Sequence, residues 1–463
     1  MKKKLIFVLF CILAVKVSAQ NLTPEYKKLS RDIFKELIEI NSTSKFGSTK
    51  AAEAMADRLR TAGFKESDIQ VIGPDTQHKN LVVRYHGEGK LKPVLFICHL
   101  DVVEALRDDW SVDPFTFLEK DGFFYGRGTT DVKNDDASLI VNIIRLKKEG
   151  YKPDRDIIIA LTADEEMGTA NGVNWLVTNH RELIDADFCI NPDGGGGDEK
   201  NGKPVGLGIQ TSEKIFVSYK LETKNKGGHS SLPVKDNAIY RLAAGLTRLA
   251  KYDFPLRLNE TTRTFFEKSA EIESGQLKSD ILAILKIPPD TAAANRITAA
   301  SAYYNAMMRT TCVATMLKAG HAENALPQTA QATINCRMLP DDSPDSVMLV
   351  LKNVLADNQI SVTQINSTFR SPLSPLREDV TEPVTQIVSS MWPEVSVSPV
   401  MSTGASDGKF LRREGIPVYG VSGMFSDMDD VRAHGRDERI GVKEFYDGVV
   451  FTYRLIKALS TEK

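Results

Sequence analysis

An α/β fold is predicted: a mostly parallel sheet with helices on both faces, interrupted by an inserted α+β domain of ferredoxin-like order. Three observations predict it. Short, wholly apolar runs alternate with amphipathic helical stretches through residues 24–190. Near Thr211 the pattern changes to strands of alternating polarity, and after Pro372 the α/β rhythm returns. Continuous apolar runs belong to strands buried on both faces, the usual setting of a parallel sheet.

The elements follow in order. Thr23-Pro24 reads as an N-cap with proline at the first helical position, and Leu29, Ile33 and Leu37 recur at helical spacing toward Ile40. A second amphipathic helix is expected over 49–63, then buried strands over 80–85, 94–98, 157–161 and 188–190. Leu139, Ile140, Ile143, Ile144 and Leu146 place a helix over 137–148, closed by Gly150, and Val173, Leu176 and Val177 mark another. In the insert, strands are expected over 215–221, 330–338 and 360–365 and helices over 237–249 and 346–355, with extra helices between 252 and 309. A strand over 418–421 and a helix over 442–459 close the chain. The implied division is a leader, 1–19, a catalytic domain in two pieces, 20–211 and 372–463, and an inserted domain, 212–371.

The 463 residues carry 59 Lys+Arg against 61 Asp+Glu, a net charge of −2, with 42% hydrophobic and 26% charged residues. That length allows roughly two to four domains and a large core, which excludes a disordered tail or a small disulfide scaffold. A balanced charge with no basic block argues against a nucleic-acid partner. Lys2, Lys3 and Lys4 precede an apolar run over 5–15, and Val17-Ser18-Ala19 supplies small residues at a cleavage position. This reads as a secretory signal cut after Ala19, giving a periplasmic or extracellular protein. The run falls well short of the roughly 20 residues a membrane span needs, so no stable membrane insertion is expected. Cys98, Cys189, Cys312 and Cys336 remain, too few and too widely spaced for a disulfide framework or a CxxC metal site. They are expected as buried small apolar residues, with one long-range disulfide as the alternative.

The chemistry gathers at strand ends. His99 and Asp101 follow the 94–98 run, Glu165 and Glu166 follow 157–161, and Asp193 follows 188–190. In open parallel sheets the carboxyl edge is where loops aim side chains into one crevice. Three strands delivering imidazole and carboxylates to that edge point to a metal centre. Asp101 is positioned to orient the His99 imidazole, and Asp131 ends the glycine-bearing turn Gly126-Arg127-Gly128-Thr129-Thr130. Three acidic groups at 164–166 repel one another unless cations compensate.

These residues, in order along the mature chain, resemble the M20 family of zinc metallopeptidases and amidohydrolases, which contains carboxypeptidases, dipeptidases and aminoacylases. The resemblance rests on HLDVV at His99, Trp110 with Asp113-Pro114-Phe115, GRGTTDVK ending at Lys133, TADEEMG through Gly168, and Asn191-Pro192-Asp193. It continues through Gly227-Gly228-His229-Ser230-Ser231, Asn324-Ala325-Leu326-Pro327, Gly404-Ala405-Ser406-Asp407 and the RAHGRDER segment around His434. The resemblance implies two zinc ions per chain, with manganese or cobalt as substitutes. Asp131 would bridge them, His99 and Asp193 would complete one site, and Glu166 and His434 the other. It further implies Glu165 as general base, Asp101 as its orienting carboxylate, and His229 as donor to the oxyanion. Asn324 and Arg337 would hold the substrate carboxylate, with Gly404 and Ser406 also in the substrate site. The insert would be a lid through which a homodimer forms. Asn134, Asp135 and Asp136 stand where the family often has glycines, and Glu104 replaces a common proline. The expected function is hydrolysis of an amide bond beside a free C-terminal carboxylate, in peptides or dipeptides first and N-acyl amino acids second. A non-catalytic binding protein on a decayed hydrolase fold is the alternative of another class.

Overall fold

The computed structural model describes residues 22–462, so the leader at 1–19 lies outside the described residues. The chain forms two compact units. One runs to Gln210 and resumes over Pro375–Ser398 and from Ser406; the other comprises Thr211–Ser374 and Pro399–Ala405.

The first unit is built on a six-stranded sheet in the order Ile69–Ile72, Asn80–Tyr85, Ile157–Thr162, Val94–His99, Phe188–Ile190, Val418–Tyr419. The last four are mutually parallel. Asn80–Tyr85 runs antiparallel to Ile157–Thr162, and Ile69–Ile72 antiparallel to Asn80–Tyr85. The apolar runs follow from burial on both faces. Phe96, Cys98, Ile157, Ile159 and Leu161 pack into one core with Phe34, Leu139 and Phe445 of the helices Pro24–Glu39, Lys133–Lys148 and Val442–Ser460. Leu95, Ile97, Ile158 and Ala160 turn to the other face, against Val173 and Leu176 of Gly172–Asn179 and Leu411 of Gly408–Arg413. Each such buried aliphatic side chain contributes about 1.5–3 kcal/mol relative to exposure. Phe34 is the hub of the first core, stacked on Phe445 at 4.6 Å and edge-on to Phe117 at 5.5 Å.

The helix expected over 137–148 begins earlier, at Lys133. Its first turn, Lys133, Asn134, Asp135 and Asp136, is polar yet buried, so apolar periodicity gives no sign of it.

In the second unit the sheet and the two helices packed on it follow the order strand, helix, strand, strand, helix, strand, with four further helices ahead of the second of these strands. Its antiparallel sheet runs Thr311–Ala319, Thr329–Met338, Ile215–Lys224, Ile360–Gln364, with the helices Ala238–Leu249 and Pro344–Leu355 closing its core. Alternation is strict along Thr329–Met338, where every second residue is buried. The edge strand Thr311–Ala319 carries no alternation, because most of it is exposed, and the sequence pattern does not reveal it. Four helices between 260 and 308 enclose Phe266, Ile281, Ile297 and Met307.

Cys312 and Cys336 are direct partners on adjacent strands and form a disulfide, Cα–Cα 4.1 Å, across 24 residues of sequence. This is the single disulfide held above as the alternative, between the two cysteines nearest in sequence, while Cys98 and Cys189 are free and buried as expected. Closing a loop of this size should stabilise the fold by about 3 kcal/mol, so Cys312→Ser/Cys336→Ser should lower the urea midpoint. An unchanged midpoint would show that the bridge contributes nothing to stability. Among the described residues, no helix is long and apolar enough to cross a membrane.

Candidate metal centre

Three neighbouring parallel strands end at the same edge of the sheet. Val94–His99 ends in His99 itself, Ile157–Thr162 leads into Glu165 and Glu166, and Phe188–Ile190 leads into a short turn, Pro192–Gly194, that holds Asp193. Asp131 arrives from the turn before Lys133–Lys148, and His434 from the loop after Phe425–Asp427. His434 sits at a left-handed φ of 61°, a backbone state that costs about 1–3 kcal/mol in a non-glycine residue and concentrates at functional sites.

Two donor groups result, His99–Asp131–Asp193 and Asp131–Glu166–His434, with the ligand atoms of each within 4.8 Å of one another. The shared residue uses its two oxygens separately. Asp131 Oδ1 lies 3.1 Å from His99 Nε2, and Oδ2 lies 2.9 Å from His434 Nε2. Glu166 Oε1 is 3.0 Å from His434 Nε2, and Asp193 Oδ1 is 3.9 Å from His99 Nε2. One imidazole and one carboxylate on either side of a shared carboxylate is a donor set that fits two divalent cations such as zinc, manganese or cobalt.

The surrounding contacts prepare these donors. His99 Nδ1 donates to the main-chain carbonyl of Asp101 at 3.0 Å, which leaves the Nε2 lone pair facing Asp131 and Asp193. The Asp101 carboxylate was expected to orient His99, but stands 3.8 Å from Nδ1 and instead accepts the backbone N–H groups of Glu165 and Glu166, each at 3.1 Å. It therefore fixes the segment that carries Glu165 and Glu166. Burial, reinforced by the charges of Asp193 and Asp407, pushes the Glu165 carboxyl well above its ordinary range. Burial also raises Asp193 to about 7 and Asp407 to about 6. His434 is lifted to about 9, chiefly by its hydrogen bond to Asp131. Burial opposes a charged His99, yet the Asp131 hydrogen bond and the nearby carboxylates hold it well above the imidazole range. So many acidic groups in a sheltered cleft call for compensating positive charge.

The remaining expected residues fall in different places. Ser406 is buried, and its hydroxyl accepts from Asn191 Nδ2 at 3.3 Å and the Gly408 N–H at 3.2 Å. Through Asn191 it contacts the segment that leads into the Asp193 turn. His229, Asn324, Arg337 and Gly404 belong to the second unit. His229 lies on the two-residue strand Gly228–His229, paired with Ala325–Leu326, and the Ser230 N–H donates to the Asn324 carbonyl at 3.0 Å. The Gly404 N–H donates to Ser402 Oγ at 3.0 Å. The Arg337 guanidinium lies 4.9 Å from the Phe216 ring centroid and, among the described residues, meets no carboxylate.

Sequence reasoning assigned no role to Asp407, which is buried and accepts from Asn171 Nδ2 at 2.5 Å and Thr162 Oγ1 at 3.4 Å. It also passed over Arg127 and Glu438, whose side chains form a buried ion pair of 2.6 Å. All three stand inside motifs already noticed, and the only available signal was an acidic or basic residue beside a ligand-bearing segment.

A sheet edge that presents two donor groups joined by one carboxylate, with a glutamic acid of raised pKa beside them, is the arrangement of a metallohydrolase centre with donors for two cations. Residues 95–458 match the model of Peptidase family M20/M25/M40, and the chain belongs to that family. It is 30% identical over 396 residues to the human N-fatty-acyl-amino acid synthase/hydrolase PM20D1, covering 84% of this chain and 78% of that protein. It is 29% identical over 407 residues to the probable carboxypeptidase S-like 2 of Dictyostelium discoideum, covering 83% and 75%. The crystal structure of the M20 family metallo-carboxypeptidase Sso-CP2 from Sulfolobus solfataricus has the same fold, with a TM-score of 0.69 at 19% identity, covering 93% of this chain and 99% of that one.

Proposed function

We propose that the protein hydrolyses an amide bond whose amine belongs to an amino acid with a free carboxylate. The observation that carries this reading is the division of Asp131 between two imidazole–carboxylate groups with Glu165 beside them. Asp131, His99 and Asp193 on one side, and Asp131, Glu166 and His434 on the other, would hold two cations, zinc being the metal we favour. When bound, such ions acidify water and polarise a carbonyl. Glu165 takes a proton from the attacking water as its oxygen bonds to the carbonyl carbon. It then delivers that proton to the nitrogen as the C–N bond breaks, releasing a carboxylate and a free amino acid.

The second unit offers matching groups. His229 Nδ1 accepts the Ser231 N–H at 3.1 Å, so in the neutral ring the proton sits on Nε2, ready to donate to an oxyanion. Arg337, a cation with no acidic partner among the described residues, suits a substrate carboxylate, and Asn324 would assist.

On the acyl side we place N-acyl amino acids first, because several relatives are named as N-fatty-acyl-amino acid synthase/hydrolases. Peptides, the first expectation from sequence, stand second, supported by the carboxypeptidase S-like relative. Metal-reconstituted protein assayed on N-acyl amino acids, dipeptides and longer peptides separates the two. Equal rates on substrates with free and amidated carboxyl ends would sink both.

Export is supported by the Cys312–Cys336 bridge, since such bonds persist in oxidising compartments. The secreted chain should begin at Gln20; full-length protein confined to the cytoplasm would count against export. The edge strand Thr311–Ala319 exposes Val313, Met316 and Leu317 beside unpaired backbone groups, which suits pairing with a second copy. Sedimentation should report a dimer that Met316→Lys dissociates, and a wild-type monomer would refute the pairing.

A further inference from the structure

Glu438 lies four residues after His434 and is completely buried. Its carboxylate is filled by donors from a single segment. Oε1 accepts the Thr130 N–H at 2.7 Å, the Thr130 hydroxyl at 2.9 Å and the Asp131 N–H at 3.2 Å. Oε2 accepts Arg127 Nη1 at 2.6 Å and the Gly128 N–H at 3.1 Å. The Glu438 main-chain carbonyl accepts the Gly126 N–H at 3.1 Å. Every backbone N–H from Gly126 to Asp131 except those of Arg127 and Thr129 is therefore directed at this one residue. Arg127 itself is kept in place under the Trp110 ring, 5.1 Å from its centroid.

From this geometry we infer that Glu438 is the positioning residue of the metal centre, setting the bridging carboxylate of Asp131 against His434. The inference rests on the two-cation reading above. Within the Gly126–Asp131 turn the Thr129 N–H and hydroxyl close on the Gly126 carbonyl, but the Asp131 N–H has its partner in Glu438 and not in the turn. This buried carboxylate supplies the restraint, and its short separation from His434 ties the two ligand-bearing segments together. Only a carboxylate can do this, because both of its oxygens face donors. A glutamine would turn its NH₂ group toward either Arg127 and Gly128 or Thr130 and Asp131, setting donor against donor.

The test uses the full-length chain, stripped with chelator and titrated with cobalt(II) alone, followed by calorimetry and by the visible absorption of the bound ion. Glu438→Gln should weaken cobalt binding by about 10- to 100-fold and change the ligand-field spectrum, as loss of a partner that orients a ligand does. The fall in turnover of the reloaded enzyme should lie in kcat rather than KM. Thr130→Val removes one hydroxyl donor and no backbone contact. Should Glu438→Gln fail to fold, this variant carries the test, with a smaller loss of affinity and the same spectral change. Wild-type affinity and spectrum in a folded Glu438→Gln, or in Thr130→Val where that variant stands in, overturn the inference. A flat titration of the wild type overturns the metal reading as well, so the two failures are distinguishable.

Discussion

Glu165→Gln should bind as many metal ions as the wild type and turn substrate over about 100- to 10,000-fold more slowly, the range general-base catalysis contributes. Glu165 is in neither donor group, so its loss should leave stoichiometry untouched. Its segment is held by the Asp101 carboxylate through backbone N–H groups, contacts that a side-chain amide at position 165 does not disturb. Burial and the charges of Asp193 and Asp407 place the proton affinity of Glu165 above that of a solvated carboxylate, which suits a group that must both take and return a proton. Metal analysis beside steady-state kinetics checks the result. Turnover within a few-fold of wild type would remove Glu165 from the reaction, and loss of metal would make it a ligand.

Asp131→Asn should be as damaging by another route. Each Asp131 oxygen faces a different imidazole, and asparagine keeps one acceptor while turning an NH₂ group toward the other. Stoichiometry should fall from two ions to one or fewer. With several kcal/mol of charge stabilisation lost, turnover should drop by about 1,000-fold or more. The imidazoles report the same change without any metal. Hydrogen bonds to Asp131 are the largest influence raising His434 and help raise His99, so both should titrate lower in the metal-free variant, a shift NMR can follow. Two tightly bound ions in Asp131→Asn would show that the bridge is dispensable.

Much of this architecture could be read before any coordinates, for identifiable reasons. Strands such as 157–161 are buried on both faces and so announce themselves as unbroken apolar runs, and the placement of His99, Glu166 and Asp193 after such runs brought them to one edge. Three things were hidden. Strand direction leaves no mark on burial, so Asn80–Tyr85 was not distinguished from its parallel neighbours. Solvent exposure erased the pattern of Thr311–Ala319. Polar residues that are buried because they are paired look like surface residues in a sequence: Glu438 stands in the charged string Arg436-Asp437-Glu438-Arg439, and Lys133 to Asp136 form a polar first turn, yet both are buried. The contacts of Asp101 differ from those expected because its partners are backbone groups, invisible in a list of side chains.

The Lys133 side chain carries a last consequence. Buried two residues after Asp131, its Nζ donates to the carbonyls of Leu37 and Ile40, each at 2.8 Å, at the end of Pro24–Glu39. Those carbonyls lack partners within their own helix, so this amine satisfies them and fastens the turn that bears Asp131 to the end of that helix. A protein trimmed to the family-matched span from residue 95 would keep every proposed ligand and still lose the anchor beneath one of them. Excision of residues 1–94 should therefore abolish catalysis, although that stretch holds none of the proposed ligands.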